Sequence, residues 1–333
     1  MHNIKLPIFY QPNEVVFLDD NQNFLNSLTI VLPNEFHYKN FTSPETCLAY
    51  LKDFFSKKAN EPRRNIFVVK DEDEPGMELN LPAIHQQIYN KNRFKEIAVC
   101  VTDYTMPVMD GIEFCEAIRD FNCQKILLTG DAGHDLAVRA FNNGVIQKFI
   151  LKDSPEYTKT VIDAIAEQRL NYFIKQSQTL LGSSFETNPN QLQFLFNAEI
   201  KHYFDQACNT KGIIEYYLLD EHGRYLMLDM HGRATWFSMK DEKELDRTVE
   251  FLEYDNAPKD IIDKIKKHTH IPFFFSIDDF ETPFENWSAY LQPVIKSVRT
   301  ENTTYYISIM AGDDTPYKLE KPILTYAQFM EEL

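Results

Sequence analysis

The stretch Ile97-Ala-Val-Cys-Val-Thr-Asp-Tyr-Thr-Met-Pro-Val-Met-Asp-Gly111 runs from five apolar residues into an acid, Asp103, and then into a turn closed by Asp-Gly. A short continuous apolar run bounded by turn residues is the pattern of a strand buried on both faces. Working outward, Glu14-Val-Val-Phe-Leu18 repeats the pattern and ends in Asp19-Asp20, Lys125-Ile-Leu-Leu128 ends in Thr129, and Phe149-Ile-Leu151 ends in Lys152. Residues Phe36 to Phe41 alternate like a further strand. Apolar residues at helical spacing fall between these runs, from Asn23 to Val31, from Pro44 to about Lys57, near 110 to 120 and near 133 to 143. Pro44 sits early in its helix, where a missing N–H is harmless. Strands alternating with helices predict right-handed crossovers and a doubly wound, five-stranded parallel sheet covered on both faces.

The ends of those strands carry the chemistry. An open parallel sheet presents ligands at the carboxyl ends of its strands. There the sequence places Asp19, Asp20 and Asp103, with the Thr129 hydroxyl and the Lys152 ammonium on the same rim. Three carboxylates at one place need a compensating cation, and hard oxygen ligands suit magnesium. Phosphoryl transfer to a carboxylate uses these parts: a metal and a lysine neutralise phosphoryl oxygens, a hydroxyl donates a hydrogen bond, and an aspartate oxygen attacks in line. Asp103 is the candidate nucleophile. The plainer alternative is a set of solvated acids at strand ends.

With these residues on the page, the sequence resembles the receiver domain of two-component response regulators. The motifs Val15-Val-Phe-Leu-Asp-Asp20, Val101 to Gly111, Leu127-Leu-Thr-Gly130 and Phe149-Ile-Leu-Lys152 stand in the family's order, over about residues 12 to 175. The resemblance implies a flavodoxin-like fold. It implies that Asp19, Asp20, Asp103 and the backbone carbonyl of Thr105 hold magnesium, and that Asp103 accepts phosphate from a sensor histidine kinase or phosphotransfer protein. Thr129 and Phe149 would form the pair that responds to phosphorylation, and Lys152 would be the family's cation. It further implies a homodimer through the last two helices and last strand, here roughly Asp131 to Asn142, Phe149 to Leu151 and Glu156 to Tyr172. Two departures stand out. Asp153 follows Lys152 where the family usually has proline, and the gap between the acid pair and Asp103 is longer than usual by roughly forty residues.

That gap, about residues 58 to 95, reads as an insertion, with a short strand at Ile66 to Val69, an acidic turn Asp71 to Gly76 and a helix from Pro82 to Phe94. From Pro155 a helical pattern continues past one domain's needs and is expected to end at Gly182-Ser-Ser. The reading is thus a receiver at 1–175, an extended last helix and linker at 155–184, and a second domain at 185–333. The second domain is expected to be mixed antiparallel α+β. Its predicted order is a helix from about Gln191 to Ala207, three strands turning at His222-Gly-Arg224 and His231-Gly-Arg233, two helices, then strands near Pro272 to Ser276, Pro293 to Arg299 and Thr303 to Met310. The two His-Gly-Arg turns read as hairpin tips, or alternatively as basic pairs for a phosphate-bearing ligand. Asp278-Asp279 reads as a turn.

The chain of 333 residues has 34 Lys and Arg against 50 Asp and Glu, a net charge of −16. That balance repels phosphate backbones and anionic membranes. Residues 185–333 carry 15 basic against 26 acidic residues, which argues against a DNA-reading surface. The five cysteines lack CxxC spacing and predict neither disulfides nor structural zinc, as in a reducing cytoplasm. No segment predicts export or membrane insertion. Together these point to a cytoplasmic response regulator whose only chemistry is phosphoryl transfer to itself and its slow hydrolysis. The architecture is similar to that of a small quorum-sensing subclass of response regulators, which pairs a receiver with an output domain that has no DNA-binding motif. A phosphorylation-gated nucleotide enzyme and an atypical transcription regulator stand as the alternatives.

Overall fold

A computed structural model describes residues 4–33, 35–59, 67–69, 77–79, 83–84, 86–130, 134–187, 192–274, 282–315, 319 and 321–333. The chain divides into two compact units. One is Gln11–Arg64 with Asn92–Gln176, and the other is Met1–Tyr10, Asn65–Lys91 and Ser177–Leu333. The expected receiver boundary, 1–175 with an internal insertion, is corrected at both its start and its middle. The reason at the start is backbone pairing: strand β1 (Phe9–Tyr10) pairs antiparallel with Tyr217 and Tyr216, and the Tyr10 ring stacks on that of Tyr216 at 5.5 Å. Just before it, the N–H groups of Lys5 and Leu6 donate to the Leu195 carbonyl, and that of Ile8 to Ser177 Oγ.

The sequence then builds the parallel unit. Its elements are β2 (Glu14–Leu18), α1 (Gln22–Ile30), β3 (His37–Phe41) and α2 (Pro44–Ala59). The next two strands, β4 (Phe67–Val69) and β5 (Met77–Leu79), form an antiparallel pair that groups with the other unit, and the acidic residues 71–76 lie outside the described residues. The helix expected over 82–94 is instead broken, with short 3-10 turns at Gln86–Tyr89 and Arg93–Lys95 separated by a turn at Lys91 and Asn92. The parallel unit resumes with β6 (Ile97–Asp103), α3 (Gly111–Ala117), β7 (Gln124–Thr129), α4 (His134–Asn142), β8 (Lys148–Leu151) and α5 (Tyr157–Thr187).

The five strands run parallel in the order β3-β2-β6-β7-β8, the doubly wound, flavodoxin-like arrangement. Register places Leu18 beside Thr102, Asp103 beside Leu128 and Thr129 beside Leu151, so the carboxyl ends finish at one rim. Every residue of β6 is buried, as its unbroken apolar run requires. On one face, Val16, Leu18 and Cys100 pack with Cys47 and Leu51 of α2 and Phe114 and Ile118. Each fully buried Val, Leu, Ile or Phe side chain among these contributes about 1.5–3 kcal/mol. Four of the five cysteines are buried in this unit, and all five are free thiols.

Helix α5 does not stop at Gly182 but continues to Thr187, and the division between the units falls inside it, at Gln176 and Ser177. Gly182 is absent from the residues with positive φ and stays in the helix, where a glycine costs only about 1 kcal/mol.

The second unit contains a six-stranded antiparallel sheet. Its elements are α6 (Ala198–Lys211), β9 (Ile213–Leu218), β10 (Tyr225–Asp229), β11 (Ala234–Asp241), α7 (Glu242–Tyr254), α8 (Lys259–Lys266), β12 (His270–Pro272), β13 (Leu291–Pro293), β14 (Lys296–Arg299), β15 (Thr304–Ala311) and α9 (Tyr326–Glu331). The order is β1-β9-β10-β11-β15-β14. Phe204 of α6 is the hub of one face, with the rings of Tyr216, Tyr225 and Phe237 at 4.8, 4.9 and 5.0 Å. A second core gathers Leu245, Ile261, Ile271 and Trp287.

Three expectations are adjusted here. The helix expected from Gln191 begins at Ala198, because Leu192 has φ 60° and Asn197 caps the helix by accepting from Glu199 and Ile200 N–H. The strand expected over 293–299 is two strands, β13 with β12 and β14 with β15. The strand expected over 272–276 is β12, ending at Pro272, and residues 275–281 lie outside the described residues.

The hairpin turns repeat one construction. Asp220 Oδ1 accepts from His222 and Arg224 N–H, Asp229 Oδ1 accepts from His231 and Arg233 N–H, and Gly223 and Gly232 take φ 93° and 75°. Beside the first turn, His222 Nδ1 lies 2.6 Å from Glu244 Oε1 and Lys240 Nζ lies 3.1 Å from the same oxygen. The hydrogen bond to Glu244 raises the His222 pKa. Burial works against the Glu244 charge, but the His222 bond and Lys240 outweigh it and bring its pKa down to about 2. His222 stabilisation is therefore complete below its unfolded value of 6.5 and is lost as pH rises through the folded one. That of Glu244 is present above its unfolded 4.5 and is lost as pH falls toward about 2. The pair acts fully between those two unfolded values. His222→Gln is expected to lower the urea midpoint more at about pH 5.5 than at about pH 8.5, measured on the full chain. An equal loss at both pH values would remove the ion pair from the account.

Candidate functional site

The rim of the parallel sheet collects what the sequence placed there. Carboxylate oxygens of Asp19, Asp20 and Asp103 all lie within 4.8 Å of one another. Asp19 and Asp103 are buried, at 2% and 6% exposure, while Asp20 is exposed. Two buried like charges at adjacent strand ends repel, and the counter-charge arrives from the far end of the sheet. Lys152 Nζ stands 3.0 Å from Asp19 Oδ2 and 2.9 Å from Asp103 Oδ1. Burial raises the Asp103 pKa, against the lowering effect of its bond to Lys152. Burial alone would lower the pKa of Lys152, but its bonds to Asp103 and Asp19 leave it raised. The peptide bond between Lys152 and Asp153 is trans, and the ammonium reaches both acids without the family's usual proline.

The remaining expected residues lie around this centre. Thr129, fully buried, ends the neighbouring strand and donates through Oγ1 to the Gly130 carbonyl at 3.0 Å, while its own carbonyl accepts from Lys152 N–H. Phe149 on β8 is half-buried against Leu127 and Ala137, with the rings of His134 and Phe141 edge-on at 5.7 and 6.3 Å. Thr105 is exposed, two residues beyond Asp103, in a loop tied down at Tyr104, whose N–H donates to Leu128 and whose carbonyl accepts from Gly111.

Four supporting residues were given no role at the site by the sequence reading. Asn21 donates its N–H to Asp19 Oδ1 at 2.9 Å and caps α1 by accepting from Asn23 and Phe24 N–H. An asparagine between an acid pair and an amphipathic run is a helix-start signal that could have found it. Gly111 has no room for a side chain: a Cβ would fall 2.2 Å from the Asp103 carbonyl oxygen and 2.8 Å from Leu127 Cδ1. Asp110 caps α3 in a reciprocal box with Glu113. Phe24 presents its ring to Lys152 Nζ at 4.6 Å and touches Tyr157 at 6.1 Å. No spacing rule connects Phe24 with Lys152, because the two meet only through the sheet's crossovers.

The donor set suits magnesium: three carboxylates supply hard oxygens, and one ammonium leaves the cluster net negative. The response regulator receiver domain family matches residues 71–163. The matched part contains Asp103, Thr129 and Lys152, and stops short of Asp19 and Asp20, which lie before the long gap. A solved structure, that of the Legionella pneumophila response regulator LqsR, is 31% identical, with a TM-score of 0.82, and the alignment covers 99% of this chain and 97% of that one. This chain belongs to the response regulators. The likeness runs the length of both proteins and so includes the antiparallel unit of this regulator as well as its receiver. A receiver domain protein from Clostridium thermocellum, 17% identical, covers 50% of this chain and 98% of its own at a TM-score of 0.31. A CheY-like receiver domain protein from Methanospirillum hungatei, 18% identical, covers 50% and 98% at 0.32. At those scores the likeness decides nothing further. No curated protein matches the sequence.

Outside the receiver the sequence offered two further candidates. The arginines of the His-Gly-Arg turns are engaged locally, Arg224 Nε with Asp220 at 3.3 Å and Arg233 Nε with Asp229 at 2.6 Å, which supports the hairpin reading. Asp278-Asp279 lies outside the described residues. The geometry at Gly111 yields a sharp expectation. Gly111→Ala should destabilise the regulator by about 2–3 kcal/mol, because the atom it meets is backbone and cannot swing away. Urea denaturation checks this, and a change of less than about 0.5 kcal/mol would refute the close approach.

Proposed function

We propose that this response regulator works as a phosphorylation switch, with Asp103 accepting a phosphoryl group from a sensor histidine kinase or phosphotransfer protein. The observation that carries the reading is the convergence of Asp19, Asp20, Asp103 and Lys152 at one rim. An Asp103 carboxylate oxygen attacks phosphorus in line. The new O–P bond forms as the P–N bond of the phosphohistidine breaks, and the released imidazole nitrogen takes a proton from solvent. Asp19, Asp20, Asp103 and the Thr105 carbonyl would hold magnesium, which when bound neutralises charge on the phosphoryl oxygens. Lys152 orients the Asp103 carboxylate before attack and offers its ammonium to the phosphoryl oxygens afterwards. Hydrolysis of the acyl phosphate resets the switch, and no other catalysis is assigned.

Modification of Asp103 draws the Thr129 hydroxyl from the Gly130 carbonyl toward the phosphoryl group, and the Phe149 ring moves into the space released. The consequence is association of two copies or of a partner through α4, β8 and the first part of α5. Two apolar side chains on α4 support that choice of surface, Leu136 at 43% and Phe141 at 48% exposure. Residues 131–133 of the expected face lie outside the described residues. Among the described residues no helix is long and apolar enough to cross a membrane, and the net charge of −16 disfavours a nucleic-acid partner. A cytoplasmic location fits a partner that carries phosphohistidine.

The test is intact mass and size-exclusion light scattering of the full chain and Asp103→Asn, each with acetyl phosphate and magnesium and again with EDTA. One added phosphoryl group is expected in the wild type with magnesium only, together with a rise in assembly size. An unmodified wild type, with acetyl phosphate and with candidate kinases alike, would overturn the reading. Labelling without any change in size would overturn the association step alone.

A further inference from the structure

Tyr157, the first residue of α5, has a buried hydroxyl with no hydrogen-bond partner among the described residues. A buried donor without an acceptor costs stability, so its retention needs a reason. The surroundings of the ring supply one. The Tyr157 ring lies against Phe24 at 6.1 Å, Phe24 lies under Lys152 Nζ at 4.6 Å, and Lys152 binds both Asp19 and Asp103. Tyr157 is thus one ring away from the lysine of the acid centre. Burial, with the charges of Asp19 and Asp103, pushes its ionisation upward, so it remains an O–H donor. In the unmodified protein Lys152 binds one oxygen of each buried carboxylate, and Asn21 N–H donates to the other oxygen of Asp19. A phosphoryl group on Asp103 would add acceptor oxygens at that place.

We propose that Tyr157 is a positioning residue whose hydroxyl donates to the phosphoryl group on Asp103, so that phosphorylation anchors the first turn of the long helix α5. The inference rests on the phosphorylation reading above and adds a route for it that does not pass through Thr129 and Phe149. Helix α5 is the element in which the chain leaves the parallel unit. A contact at its first residue therefore carries the chemical state of Asp103 directly to the segment that connects the two units.

The experiment uses the full chain and Tyr157→Phe, which keeps the ring and its contact with Phe24. Both proteins are held with magnesium and acetyl phosphate, the extent of modification is read by intact mass, and amide hydrogen exchange is followed over residues 157–163. In the wild type, modification is expected to slow exchange in this first turn about tenfold, the effect of one hydrogen bond to a charged acceptor. In Tyr157→Phe, modified to the same extent, the slowing should disappear. Thermal unfolding of the unmodified proteins gives a second readout: losing an unpartnered hydroxyl should leave the melting temperature unchanged or raise it. Slowing that persists in Tyr157→Phe, or a clear fall in its unmodified melting temperature, would overturn the proposal. A wild type that takes up no phosphoryl group would overturn the underlying reading, and with it this one. That failure is visible in the wild-type mass alone.

Discussion

One ammonium group between two buried carboxylates organises the receiver. Asp19 and Asp103 end neighbouring strands at the centre of the sheet and would repel if left alone. Lys152 ends an edge strand two places away from Asp103, and only the parallel order β3-β2-β6-β7-β8 brings its side chain to both acids. Features that look separate serve this contact. The buried register of β6 fixes Asp103, the Asn21 cap fixes the turn after Asp19, and the bare Gly111 lets the chain return against the Asp103 backbone at the end of the loop 104–110. Such a triad is poised: one ammonium is shared by two carboxylates, and a phosphoryl group on either would change the charge it answers.

The parallel half was legible because its signal is local. Each strand is a short apolar run ending in a polar residue, and the polar ends are the site. The identity of Asp19, Asp20, Asp103, Thr129 and Lys152 therefore came with the strand assignment. What was hidden depends on contacts remote in sequence. Phe24 and Tyr157 meet only because α1 and α5 flank the same rim, and no periodicity records that meeting. The membership of residues 1–10 was equally silent: Phe9-Tyr10 is a two-residue strand, too short for any alternation to register, and its partner lies beyond the whole receiver. Gly182 misled for an energetic reason, since a glycine that ends many helices is tolerated inside one already stabilised along its length.

In the antiparallel unit, sequence marked turns better than strand partners. The two Asp-x-His-Gly-Arg segments gave both hairpins, and each aspartate closes its own turn while pairing with its arginine. The basic residues that looked available for a ligand are thus part of the turn's construction. The breaks at Leu192 and between Pro293 and Lys296 depend on backbone conformation and on sheet assignment, neither of which composition encodes.

The placement of β1 has a consequence for the order in which the protein can be built. Phe9 and Tyr10 leave the ribosome before any part of the receiver, yet their partners on β9 are made about 200 residues later. The parallel unit has all its strands by Leu151, so it can close while the amino-terminal strand waits unpaired. The six-stranded sheet is completed only when β1 pairs with β9, across the whole intervening parallel unit. A cut at the apparent domain boundary would leave β9 with an open edge, the kind of surface on which chains aggregate. Two units in space are thus one thread in synthesis, since residues at the start of the chain complete the sheet of the later unit.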